Sequence, residues 1–452
     1  MKMKLVNAQI LLILSQFVFC QNSVKNDERM QWFIDAKFGI FIHYGIYAVK
    51  GVGESWSFRN YEISHKDYMS QLSGFTAKNY NPVAWAKLFK ESGAKYAVLT
   101  SKHHDGVALW NTQQNDLSVV NRSPAARDLI TPYAKALRDE GLKVGIYFSH
   151  LDWTHPDYAT VFHGDSIIKP KKYNTYEFPK SGIEDTVRWN RFLKFRNAQI
   201  FEIQKLINPD LWWFDGEWTR TAEQWRTQEL RKEMLKWNPN TIMNGRMLGC
   251  GDYATPEQGI PILGHSGPWE LCMTLGNHWG YRPNDTINKS LNYILRVFTD
   301  CISLGGNLLL NIGPKEDGTI PEAQVDILKG IGRWTNKHAE AIYGTTRGLP
   351  FGHFYGPTTL SKDRKTVYCF VLDTPKDALV VKGIRNKITK IRLLGSTETL
   401  SYKRNGGAGW LKIPGVLLID LSAEKTDKNI SVIAIDLDSP IDLYQGNGEN
   451  PM

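Results

Sequence analysis

Up to about residue 345 the chain alternates short, unbroken apolar runs with longer amphipathic stretches, and that alternation constrains the fold more than any other feature. Phe38-Gly-Ile-Phe-Ile-His43 reads as a buried strand. Residues 82–92 (PVAWAKLFKES) read as a helix closed by Gly93, and residues 95–101 (KYAVLTS) as the next strand. The order then repeats, with a helix over 131–140, a strand over 142–149 and a long helix over 184–208 that leads to Asp210-Leu-Trp-Trp-Phe-Asp215. A helix over 222–237 precedes residues 241–244, and one over 291–303 leads through Gly305-Gly306 to Asn307-Leu-Leu-Leu-Asn311. Strands without polar alternation are buried on both faces, the condition of a parallel sheet covered by helices. The predicted fold is therefore a (β/α)8-like TIM barrel, with a doubly wound sheet as the alternative. No Gly-x-Gly-x-x-Gly follows an early strand, which argues against the second.

Polar residues stand just after the apolar runs: His43, His103-His104-Asp105, Asp152, Asp215, and Asn244 with Arg246. In a barrel these are the C-terminal strand ends, where active sites gather. From residue 349 the pattern changes to short strand-like runs punctuated by Gly, Pro, Asn and Asp, which predicts a C-terminal antiparallel β-sandwich over 349–452 after a barrel over 21–345. Residues 1–20 have the layout of a signal peptide. Lys2 and Lys4 precede an apolar stretch from Leu5 to Cys20, followed by polar Gln21-Asn22-Ser23. The stretch is short for a membrane span, so export is expected: periplasmic in a bacterium, otherwise secreted or lysosomal. Lipid anchoring at Cys20 is disfavoured by bulky Phe19. Cys250, Cys272, Cys301 and Cys369 match no zinc spacing and read as free, buried residues.

Composition adds two constraints. The 55 Lys and Arg against 46 Asp and Glu leave a net charge of +9, but the basic residues are scattered and no nucleic-acid motif is present. Fifteen Trp are either core or stacking platforms for sugar rings. Trp56, Trp213, Trp269 and Trp279 fall in segments that read as active-site walls, and Trp32, Trp85, Trp237 and Trp334 on helical stretches that read as packing.

Two acids stand against indoles. Asp215 closes Trp212-Trp213-Phe214, and Gly216 after it would admit a substrate closely; Glu270 lies in Pro268-Trp269-Glu270-Leu271-Cys272. An apolar neighbour raises a carboxylic acid's pKa and keeps it a proton donor. Two such acids at different strand ends fit the two-carboxylate logic of glycoside hydrolysis. Adjacent strand residues face opposite sides, so His103 and His104 are not expected to share a metal ion; at a strand end both can donate to sugar hydroxyls. No metal and no cofactor are expected. Arg246 would want a carboxylate or hydroxyl partner.

Taken together, Phe38-Gly-Ile-Phe-Ile-His43, Lys102-His-His-Asp-Gly106, Trp213-Phe-Asp-Gly-Glu-Trp218, Trp269-Glu-Leu-Cys272, Trp279-Gly-Tyr281 and Gly305-Gly-Asn-Leu-Leu-Leu-Asn-Ile-Gly-Pro314 resemble the α-L-fucosidases of glycoside hydrolase family 29. The resemblance runs from about residue 28 to 345 and implies a metal-free retaining exo-fucosidase acting on fucosylated oligosaccharides or glycoconjugates. It implies Asp215 as nucleophile and, through the Trp-Glu-x-Cys segment, Glu270 as acid/base, with Glu217 as rival. It further implies His43, His103, His104, Trp213 and Arg246 as sugar contacts and Phe41 beside the sugar's methyl group. One departure stands out. Where the family often has Glu-Trp-Tyr-x-Arg-Asn, this chain aligns Trp56 but puts Ser55 at the Glu position, with Glu54 one residue early. That keeps a second L-sugar, α-L-galactose, as an alternative substrate. A catalytically silent glycan-binding protein on the same scaffold is the alternative outside the enzymes.

Overall fold

The computed structural model describes residues 28–158, 185–373 and 376–447. Residues 1–20, expected to direct export, lie outside them. Seven strands form one all-parallel sheet: β1 Phe38–Ile42, β2 Tyr96–Lys102, β3 Lys143–Ser149, β4 Leu211–Asp215, β5 Ile242–Met243, β6 Glu270–Thr274 and β7 Asn307–Ile312. Their order is β5-β4-β3-β2-β1-β7-β6. Every residue of β1, β2, β6 and β7 is buried, which is why these runs carry no polar alternation.

The gap between β5 and β6 is not empty. Residues 253–258 run between them as an irregular eighth strand, parallel to both. Isolated bridges pair Asn244 with Tyr253, Ala254 with Trp269 and Glu257 with Cys272. Glu270 N donates to Ala254 O at 2.9 Å and Cys272 N to Pro256 O at 3.1 Å. Pro256 has no N–H to give and keeps the ladder from becoming regular. The curled sheet is thereby that of a (β/α)8 barrel.

The covering helices begin with local signals that the sequence carries. Asn81 caps Pro82–Glu91 by accepting from Ala84 N, and Pro82 fills a position whose N–H has no partner anyway. Asp185 caps Thr186–Ile207 through Val187 N and Arg188 N, and Asn208 closes it at φ 40°. Ser290 caps Leu291–Ser303. The single helix expected over 222–237 is two, Ala222–Trp225 and Thr227–Trp237, broken where Arg226 turns left-handed at φ 51°. Among the described residues no helix is long and apolar enough to cross a membrane.

Beyond the barrel two antiparallel sheets pack face to face. One has five strands in the order Ile388–Leu393, Ser431–Leu437, Thr366–Val371, Thr358–Leu360 and Thr346–Arg347; the other joins Leu379–Val381, Val416–Ile419 and Tyr402–Asn405. Cys369, Val381, Ile419, Ile433 and Ile435 belong to the core between them. The outer face of the larger sheet carries Tyr368, Phe370, Val432 and Ala434 into the barrel's own core. Trp334, on Glu322–Lys337, donates to Ile430 O at 2.8 Å across that seam.

Candidate active site

The C-terminal strand ends surround a cavity of about 300 Å³. Phe41, His43, Glu54, Trp56, His103, His104, Trp213, Asp215 and Arg246 all line it, joined by Tyr147, Trp218, Glu257 and Trp279. Glu270 does not.

Asp215 ends β4, so its side chain leaves the sheet at the cavity floor. Three donors aim at its two oxygens. Arg246 Nη1 reaches Oδ1 at 2.6 Å, Gly216 N reaches the same atom at 2.9 Å, and the Tyr147 hydroxyl reaches Oδ2 at 2.8 Å. Gly216 sits at φ 83°, and a Cβ there would lie 2.4 Å from Leu151 Cγ. Glycine is thus required by this turn, which releases Asp215 from the strand.

Arg246 follows β5 on a short 3₁₀ turn, Gly245–Met247. Its second terminal nitrogen, Nη2, reaches Glu257 Oε2 at 2.7 Å. One guanidinium thus joins Asp215 to Glu257. It lies over the Trp213 ring, 4.7 Å from the centroid; burial works against its charge, but Asp215, Glu217 and Glu257 around it hold its pKa above the ordinary arginine value.

Glu270 is misplaced by the sequence reading for a physical reason. It opens β6, whereas Asp215 closes β4, so the two lie at opposite ends of the sheet. Glu270 is fully buried below the cavity, accepting from Trp213 Nε1 at 3.1 Å and from the Tyr96 hydroxyl. Burial pushes its pKa up to about 7. Trp269 beside it is also buried, with Nε1 on Leu304 O at 3.4 Å, and is not a cavity wall. Trp237, expected to pack, is exposed. Glu257 escaped notice because Ala-Thr-Pro-Glu-Gln258 has neither an apolar run nor an aromatic neighbour. Its only signal was position, just before the bridge to β6. Tyr147 stands inside an apolar strand where nothing distinguishes it from core.

The imidazoles have fixed roles. Asn311 Nδ2 donates to Trp279 O at 2.7 Å, so Asn311 Oδ1 is left to accept from His43 Nδ1 at 2.6 Å. The Ser149 hydroxyl donates to Leu151 O at 2.8 Å, so its oxygen accepts from His104 Nδ1, also at 2.6 Å. Both rings are then neutral with Nε2 unprotonated. Burial lowers the His43 pKa to about 4 and that of His104 well below the ordinary value. Toward the cavity these two histidines accept hydrogen bonds, where the sequence reading had the His103-His104 pair donating. His104 Nε2 stands 3.7 Å from Asp215 Oδ2, so that two acceptors face the same part of the cavity. His103 Nδ1 pairs with Ser55 Oγ at 2.6 Å.

The chain bends after Lys102, so His103 and His104 share one side, and the opposite-face premise against a shared ion does not hold. Their ring nitrogens and an Asp215 oxygen lie within 4.8 Å of one another, a donor set able to hold a metal ion.

Glu54 reaches the cavity from one residue earlier than the family pattern places it, accepting from Gly280 N at 2.6 Å. Trp56 and Trp218 stack at the rim with centroids 6.1 Å apart. Phe41 meets Trp213 at 4.9 Å and Trp279 at 5.9 Å to form an apolar corner. Not every strand-end polar residue joins the site. Asp152 pairs with buried Lys102 at 3.4 Å, Asp105 accepts from Tyr68 at 2.6 Å, and Asn244 hydrogen-bonds the backbone of Phe214 twice, both at 2.9 Å.

A barrel-top cavity with two carboxylates joined by an arginine, and walled by indoles and acceptor imidazoles, is that of a glycoside hydrolase. The family model for α-L-fucosidase matches residues 10–340. The tissue α-L-fucosidase of Bos taurus is 30% identical, over 84% of this chain and 83% of its own length. α-L-Fucosidase isoenzyme 1 from Paenibacillus thiaminolyticus superposes with a TM-score of 0.81 at 33% identity, covering 91% of this chain and 99% of that one. A Bacteroides thetaiotaomicron α-L-fucosidase trapped as a covalent intermediate gives 0.79 at 26%, covering 92% and 97%. The chain belongs to the α-L-fucosidase family of glycoside hydrolases.

Proposed function

We propose that this retaining α-L-fucosidase removes terminal fucose with Asp215 as the nucleophile and Glu257 as the acid/base. The observation that carries the reading is Arg246, whose one guanidinium touches both carboxylates at the cavity wall. A side chain that spans both favours the short separation retention needs, about 5–5.5 Å between carboxyl groups. In the first step an Asp215 oxygen bonds to the anomeric carbon. The bond from that carbon to the leaving oxygen breaks, and the Glu257 proton goes to that oxygen. In the second step water attacks the same carbon, gives its proton to the Glu257 carboxylate, and frees Asp215. His43 and His104 accept from the sugar's hydroxyls, and contacts that tighten as the ring distorts lower the barrier.

The Phe41–Trp213–Trp279 corner supports fucose over L-galactose. A methyl group fits there, whereas an added hydroxyl would lose its water without gaining a partner.

Asp215→Ala is expected to abolish turnover of an aryl α-L-fucoside while the circular dichroism spectrum stays that of the parent. Azide is expected to rescue Glu257→Ala on an activated aryl fucoside, giving a fucosyl azide of retained configuration. Rescue of Glu217→Ala instead would move the acid to Glu217, whose pKa burial raises to about 7.

We further propose that residues 1–20 direct export, on the strength of Lys2, Lys4 and the apolar stretch to Cys20. Mature protein beginning at Gln21 is the expected product; a lipid-modified Cys20 would replace that reading with an anchor.

A further inference from the structure

Glu270 is a buried carboxyl group that the reaction does not use. Among the described residues two side-chain donors meet it, the Trp213 indole and the Tyr96 hydroxyl, and no basic side chain neutralises it. A carboxyl group in such a place is costly to bury. An apolar residue would fill the same volume at lower cost, so the position calls for a role that an apolar residue lacks.

The geometry of its partner supplies one. Trp213 Nε1 points down to Glu270 while the ring itself forms part of the cavity wall. Phe41 and Tyr147 pack on the ring at 4.9 and 5.8 Å, and neither can fix its rotation by a hydrogen bond. On that ring rests the Arg246 guanidinium, 4.7 Å from the centroid, with its two ends on Asp215 and Glu257. The contacts therefore run in series from Glu270 through the indole and the guanidinium to both carboxylates.

We propose that Glu270 is a positioning residue for the hydrolytic reaction: from beneath the cavity it locks the Trp213 indole, and the indole sets the plane of the arginine that joins Asp215 to Glu257. The inference rests on the reading of those two carboxylates as the catalytic pair. The hydroxyl-binding imidazoles sit on other strands and do not touch Glu270. Loosening the indole therefore acts on the chemical step through Arg246, and on binding only through the methyl corner that the same ring helps to form.

Glu270→Met removes the acceptor at similar length. It is expected to lower kcat on an aryl α-L-fucoside by about 10- to 100-fold, the cost of a small misalignment, with a rise in KM that is smaller than the fall in kcat. Glu270→Gln keeps an oxygen for Trp213 and an N–H for Tyr96, and is expected to retain kcat within a few-fold of the parent. Trp213→Phe should show a comparable loss, and Glu270→Met should add little on top of it. In ¹⁵N-indole spectra the Nε1–H signal that vanishes in Trp213→Phe should shift in Glu270→Met and stay in Glu270→Gln. If Glu270→Met does not fold, Glu270→Asp, one methylene too short to hold both donors, takes its place with the same expectation. A kcat in the folded variant within twofold of the parent, an indole signal that does not move, or losses that multiply in the double variant would each overturn the proposal. Failure of azide to rescue Glu257→Ala would strike the catalytic pair instead, and the Glu270–Trp213 coupling is measured independently of it.

Discussion

At the scale of single residues, the chemistry depends on which end of a strand an acid occupies. Asp215 and Glu270 look alike in sequence, each a carboxylate against an indole. One closes its strand and faces the cavity; the other opens its strand and faces the barrel interior. Periodicity reveals the strand, but for a run as short as Glu270–Thr274 it does not say where the strand begins. Burial at that position makes a separate prediction. The Glu270 pKa rises from 4.5 to about 7 on folding, so the folded state prefers the protonated form. Its favourable contribution is fully present below pH 4.5 and is lost as pH rises through about 7. At about 1.4 kcal/mol per unit, the effect reaches on the order of 3 kcal/mol. Glu270→Gln cannot titrate, so denaturant unfolding of this variant between pH 4.5 and 7 should show a flatter stability profile than the parent. Parallel profiles would contradict the assignment.

At the scale of elements, the turn after β4 is the critical joint. Gly216 is left-handed and pressed against Leu151. Gly216→Ala should cost about 1–3 kcal/mol of stability and lower kcat by tilting Asp215, read from unfolding and aryl-fucoside kinetics. Most of the long helices and apolar strands are legible to within two residues because caps and periodicity are local: Asn81-Pro82 and Ser290 announce their helices outright. What the sequence did not disclose was non-local. The eighth strand has Pro256 in it and bonds through scattered bridges, so no run of residues betrays it, and Glu257 went with it. The edge strands Thr346–Arg347 and Tyr402–Asn405 carry no sequence signal for a related reason. Their residues are largely exposed, and neighbouring strands, not an apolar face, hold them in place.

At the scale of the whole molecule, the barrel and the antiparallel sheets share one core along the Trp334–Phe370 seam. Phe370→Ala, at a fully buried position, should cost about 3–5 kcal/mol. Calorimetry of that variant should show one transition shifted as a unit; a second, separate transition would mean that the two parts unfold alone. The sheet also divides the site into a fixed half and a revisable half. Asp215 is bonded into a continuous ladder, where inserting or deleting one residue would turn every side chain of the strand over. Glu257 rides on a segment tied by three isolated bridges, and residues 259–268 after it form no regular element. Insertions there leave the ladder intact. With Asp215 and Glu257 in their proposed roles, a lineage built on this scaffold can thus remodel the side that receives the leaving group, and with it the choice among glycans, while the bond-forming side stays unchanged.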